Sequence, residues 1–198
     1  MNWETLLSFG DSITFGARSY LGYPEITGAM LGQKLDKQWH VINHSTNGFT
    51  TIDLVRSINT EYLNYKSSYP SLITVMIGTN DIKNKVPADD FEIAYEQLII
   101  KIKLLAVNNN IMLFTIPPLT QKVFYPYHYD MNERIVEFNA LIKKLGNKYK
   151  VRVLSFNYND DDFFDGVHFN NEGCRSVAKQ LVDFILKDKG IESTSAMS

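Results

Sequence analysis

Five times over, the chain follows a short β-rich apolar run with an amphipathic segment, and no other feature constrains its fold so tightly. The runs "TLLSF" (5–9), "WHVINH" (39–44), "LITVMI" (72–77), "IMLFTI" (111–116) and "VRVLSF" (151–156) read as strands. Between and after them, 23–35, 51–63, 88–107, 131–149 and 170–187 have helical spacing. In 88–107, Phe91, Ala94, Leu98, Ile102 and Leu105 recur at threes and fours, with Asp89, Asp90 and Glu92 at the helix start where the backbone dipole favours acids. "LITVMI" is apolar throughout, as a strand covered on both faces must be. Because strand–helix–strand crossovers are right-handed, this pattern predicts a five-stranded parallel sheet with helices on both faces. The expected architecture is a three-layer α/β/α sandwich, flavodoxin-like, with strand order 2-1-3-4-5. Residues 1–189 are expected to form the domain, and the small polar tail 190–198 to fray.

A chain of 198 residues, 44% hydrophobic and 21% charged, can bury one substantial core. Its net charge of -2, without a basic block, argues against nucleic acid or an anionic membrane as partner. No run approaches the ~18 apolar residues of a membrane span, and the N-terminus has no signal-peptide pattern. A cytoplasmic location and no stable membrane association are therefore expected. The single Cys174 forms no internal disulfide and reads as a small packed helix residue.

In an open parallel sheet, function collects beyond the carboxyl ends of the strands. There the chain places "GDSIT" after the first run, "STNGFTT" after the second, "GTND" after the third and "DGVH" after the fifth. Acyl transfer to a serine needs a hydroxyl, a base, a group that orients the base, and donors for the oxyanion. Ser12 supplies the hydroxyl. His168 is the best base, because an imidazole takes and returns a proton near neutrality. Asp165, three residues earlier across a turn begun by Gly166, can hold one ring nitrogen while Ser12 meets the other. The backbone N–H groups of Ser12 and Gly48 and the side-chain amide of Asn80 are the candidate oxyanion donors. In the expected strand order the fifth strand lies about 14 Å from the first. The dozen or so residues from Phe156 to His168 reach up to ~40 Å, so the loop can return.

These four segments resemble the four blocks of the GDSL esterases, also called SGNH hydrolases, in order and from residue 9 to 168. The resemblance implies Ser12 as nucleophile, Asp165 and His168 as the other triad members, and Gly48 and Asn80 in the oxyanion hole. It also implies the α/β/α sandwich and ester hydrolysis without metal or organic cofactor. Ile13 stands where the name-giving motif has Leu, an apolar exchange. The α/β-hydrolase elbow G-x-S-x-G is not met, since Thr14 lies two after Ser12.

The expected reaction is hydrolysis of a small-molecule carboxylic ester, of short acetyl-type acyl groups. Lysophospholipids, thioesters or transfer to an alcohol remain open with the same triad. A flavodoxin-like phosphate or flavin binder is the non-enzymatic alternative, although "DGVH" has no use in it. Asp11 reads as a turn cap, and Tyr125, Tyr127 and His128 of the aromatic stretch after the fourth strand as substrate contacts. "NDDDFFDG" (159–166) partly matches a calcium loop, but Phe163 stands where an oxygen ligand is needed. No metal is expected, and Asp160 to Asp162 read as a solvated loop face.

Overall fold

The computed structural model describes residues 3–58, 70–106 and 110–191. Five parallel strands, β1 (Trp3–Gly10), β2 (Gln38–Ser45), β3 (Leu72–Met76), β4 (Ile111–Phe114) and β5 (Arg152–Leu154), form one sheet in the order β2-β1-β3-β4-β5. The expected order is the observed one. β3 and β4 are buried along their whole length, which is why their sequences carry no polar alternation.

The helices are α1 (Ser12–Phe15), α2 (Tyr23–Leu35), α3 (Thr51–Ser57), α4 (Thr79–Lys83), α5 (Ala88–Lys103), α6 (Asn132–Tyr149) and α7 (Asn171–Asp188). α2 packs with α7, while α5 packs with both α3 and α6, so the helices form two layers with the sheet between them. α5 turns Phe91, Ala94, Tyr95, Leu98, Ile99 and Ile102 inward at helical spacing. Its regular part stops at Lys103, short of the expected 107, a residue outside those described. Helix α3 ends at Ser57, and the remainder of the expected 51–63 segment from 59 onward lies outside the described residues, as does 192–198 of the tail. Among the described residues no helix is long and apolar enough to cross a membrane.

The strand order places the site. The chain steps from β1 outward to β2, then returns past β1 to β3, so the loops after β1 and β3 leave the sheet edge on either side of a reversal point. The segments carrying Ser12, Gly48 and Asn80 emerge around that point.

Candidate active site

The first segment is shaped by close approach. Gly10 lies so near its neighbours that a Cβ would sit 2.2 Å from Thr14 Oγ1 and 2.5 Å from the Met76 carbonyl oxygen, so only glycine fits. Asp11 takes the expected capping role, its Oδ1 accepting from the Ile13 N–H at 2.9 Å. Thr14 Oγ1 donates to the Met76 carbonyl at 3.3 Å and fastens the turn to β3. Ile13 enters the core, and from Gly10 to Thr14 only Ser12 keeps partial exposure.

The fifth segment is a closed turn. Phe163 and Phe169 form an antiparallel bridge, and the Phe164 N–H donates to the His168 carbonyl at 2.8 Å. At the tip, Asp165 uses its two oxygens separately. Oδ1 accepts from the backbone N–H groups of Val167 (3.1 Å) and His168 (2.8 Å), while Oδ2 lies 2.8 Å from His168 Nδ1. The three-residue spacing thus lets one carboxylate fold the turn and hold the ring. Gly166 has φ +83°, and a Cβ there would lie 2.6 Å from the Val123 nitrogen. The other ring nitrogen, His168 Nε2, is 2.9 Å from Ser12 Oγ. Ser12, His168 and Asp165 are therefore in one hydrogen-bonded line.

Burial would by itself raise the Asp165 carboxyl, but the hydrogen bonds from the His168 ring and backbone, the His168 charge and the Val167 N–H together lower it to about 2. Arg18, a residue the sequence did not single out, adds a half-exposed guanidinium 3.6 Å from the same Oδ2. Asp11 behaves oppositely. Burial raises it to about 7 against the opposing pull of the Ile13 N–H and the His168 charge, and its buried Oδ2 has no hydrogen-bond partner among the described residues.

Gly48 occupies the third position of a turn closed by the Phe49 N–H on the Thr46 carbonyl at 3.2 Å, with φ +82°. The need for glycine there is conformational, since a Cβ would meet no atom of the described residues within 4 Å beyond its chain neighbours. The Thr46 N–H donates to the Gly10 carbonyl at 3.1 Å, tying this turn to the serine segment. Asn80, 3% exposed, donates from Nδ2 to the Phe49 carbonyl at 3.0 Å. Its neighbour Asp81 accepts from the Thr51 N–H at 2.9 Å and from the Thr51 hydroxyl at 3.2 Å, and burial raises its carboxyl to about 6. Asn80 and Asp81 thus clamp the Gly48 loop from both sides of Thr50. Asp81 has no signal in sequence beyond standing next to Asn80, because its partner is 30 residues away.

Among the aromatic residues, Tyr127 reaches the site, its hydroxyl donating to Asn80 Oδ1 at 3.4 Å. Tyr125 and His128 are exposed and, among the described residues, share no hydrogen bond or ion pair with Ser12, Asn80, Asp165 or His168. The acidic stretch differs in part from a solvated face. Asp160 and Asp161 are exposed, but Asp162 is buried and accepts from the Asn159 N–H at 2.8 Å, closing a reciprocal cap. Among the described residues no three His, Cys, Asp or Glu side chains converge.

Several solved structures share this architecture. An acetyl xylan esterase, AlAXEase, superposes with TM-score 0.73 at 23% identity over 91% of this chain and 99% of its own. The lipase/acylhydrolase of Enterococcus faecalis gives 0.75 at 22% identity over 94% and 96%. Axe2, an acetylxylan esterase of Geobacillus stearothermophilus, gives 0.70 at 20% identity over 98% and 97%. No curated protein matches the chain. A model of the GDSL-like Lipase/Acylhydrolase family matches residues 8–175, nearly the whole span described above, and the chain belongs to that family of carboxylic ester hydrolases.

Proposed function

We propose that this protein cleaves short-acyl, acetyl-type esters through an acyl-enzyme on Ser12. His168 takes the Ser12 proton as the oxygen attacks the ester carbonyl. Asp165 holds the ring with Nδ1 protonated and stabilises the imidazolium. The carbonyl oxygen, now negative, is held by the Ser12 N–H, the Gly48 N–H and the Asn80 N–H that Phe49 does not use. His168 then protonates the leaving alcohol, the acyl–Ser12 ester remains, and water activated by the same ring hydrolyses it.

The observation that carries this reading is the unbroken line from Ser12 Oγ through the imidazole to Asp165, at 2.9 and 2.8 Å. The acyl-chain preference draws on the names of the acetyl xylan esterases among the solved neighbours. The test measures hydrolysis of p-nitrophenyl acetate by wild type and Ser12→Ala, then of butyrate, octanoate and decanoate by wild type. Ser12→Ala is expected to lose about 10⁵–10⁶ in kcat while melting as wild type does, and kcat/KM is expected to fall with chain length. Undiminished turnover in the variant removes Ser12 from the mechanism. A rise towards decanoate removes the acetyl preference alone.

A further inference from the structure

The β4–α6 connection meets the site at Asn80, and its contact has a chemical direction. An amide oxygen can only accept, so the Tyr127 hydroxyl must donate to Asn80 Oδ1 across their 3.4 Å separation. Asn80 has two amide hydrogens, and one is taken by the Phe49 carbonyl at 3.0 Å. With Oδ1 held by the phenol and one N–H held by the backbone, the amide plane is fixed at two points and, among the described residues, the second N–H is left over. Inverting the amide would set Oδ1 against the Phe49 carbonyl, two acceptors face to face, so the backbone selects this orientation and the phenol, which can donate or accept, donates to match it.

We propose that Tyr127 is a positioning residue for the Asn80 amide, which it orients and polarises so that the free N–H strengthens as negative charge develops on the substrate oxygen. This inference rests on the proposed role of Asn80 as an oxyanion donor. A donor at Oδ1 draws electron density from the amide nitrogen and makes its N–H a better donor, the cooperativity seen in hydrogen-bonded chains. At 3.4 Å the contact is long for an O–H···O bond, and such bonds shorten when the reacting group arrives. The gain grows with the negative charge on the substrate oxygen, small in the bound ester and large in the transition state, so it appears in kcat. Burial, with the charges of Asp11 and Asp165 nearby, raises the Tyr127 phenol far above its ordinary value, so it remains a donor throughout the working range.

The test is a double-mutant cycle with p-nitrophenyl acetate. Tyr127→Phe keeps the ring and removes the oxygen whose one hydrogen bond, among the described residues, is to Asn80. On the wild-type background it is expected to lower kcat about 3- to 10-fold, the effect of one such bond, with KM within about twofold. On an Asn80→Ala background the same change is expected to alter kcat by less than about 1.5-fold, because the group it acts through is gone. An equal loss on both backgrounds overturns the proposal, since Tyr127 would then act independently of Asn80. A rise in KM at constant kcat also overturns it, in favour of a direct substrate contact. Failure of the Ser12 mechanism is read separately, from turnover by Ser12→Ala.

Discussion

Ser12 Oγ and His168 Nε2 lie 2.9 Å apart although 156 residues separate them in the chain, whereas His168 and its carboxylate partner Asp165 are three residues apart. The Asp165–His168 pair is a local construction, and its contact with the Ser12 hydroxyl is tertiary. The two halves respond differently to substitution.

Asp165→Asn with its oxygen kept on the N–H groups of Val167 and His168 presents an NH2 donor to His168 Nδ1 and so favours the wrong tautomer. Hydrolysis of p-nitrophenyl acetate is expected to fall about 10⁴-fold, less than for Ser12→Ala, because Ser12 and the proposed oxyanion donors remain. Steady-state kinetics on both variants, with circular dichroism as the folding control, compares the two. A loss as large as that of Ser12→Ala would make the carboxylate as indispensable as the hydroxyl.

Asp81→Ala removes the acceptor of the Thr51 N–H and hydroxyl and leaves that buried N–H unpaired, a cost of about 1–3 kcal/mol. The loop carrying Gly48 then loses one side of its clamp. The expected outcome is a lower Tm together with a kcat reduced about 10- to 100-fold, since small displacements of a reacting geometry are expensive. Full activity at a lowered Tm would restrict Asp81 to stability.

Two glycines are expected to behave differently. Gly10→Ala drives a Cβ against Thr14 Oγ1 and the Met76 backbone, and the variant should fail to fold or lose several kcal/mol. Gly48→Ala meets only the strain of its positive φ, about 1–2 kcal/mol, because its Cβ points into open space. Soluble yield and Tm of the two variants distinguish crowding from conformation.

The buried acids set opposite pH dependences. Asp11 and Asp81, raised by burial to about 7 and about 6, hold protons in the folded state that an unfolded chain, with Asp near about 3.9, has released. Stability from these groups therefore falls as pH rises from about 4 to about 7. Asp165, lowered to about 2, contributes stability that is complete above about 4 and disappears as pH falls towards 2. Asn in place of Asp11 can still accept from the Ile13 N–H, so Asp11→Asn should flatten the decline in Tm between pH 5 and 8. Parallel Tm profiles for wild type and variant would mean that Asp11 does not titrate there.

The parallel sheet was legible because strand and helix periods alternate along the chain, and the family because four short segments resemble its blocks, each a property of neighbouring residues. The Asp165–His168 spacing was legible for the same reason. The clamp of Asp81 on Thr51 and the bond from Tyr127 to Asn80 were not, since they join loops 30 and 47 residues apart whose meeting depends on the packed sheet. Asp162 misleads for a different reason: its cap on Asn159 spans only three residues, but a run of three acids hides which of them turns inward.

The bridge between Phe163 and Phe169, with the bonds of Asp165 to Val167 and His168, braces the intervening stretch internally. Should the strand or helix that bears it shift, carboxylate and imidazole would travel together with their mutual alignment kept. What changes is the gap to the Ser12 oxygen, so drift in this part of the architecture would break that contact while leaving Asp165 and His168 paired.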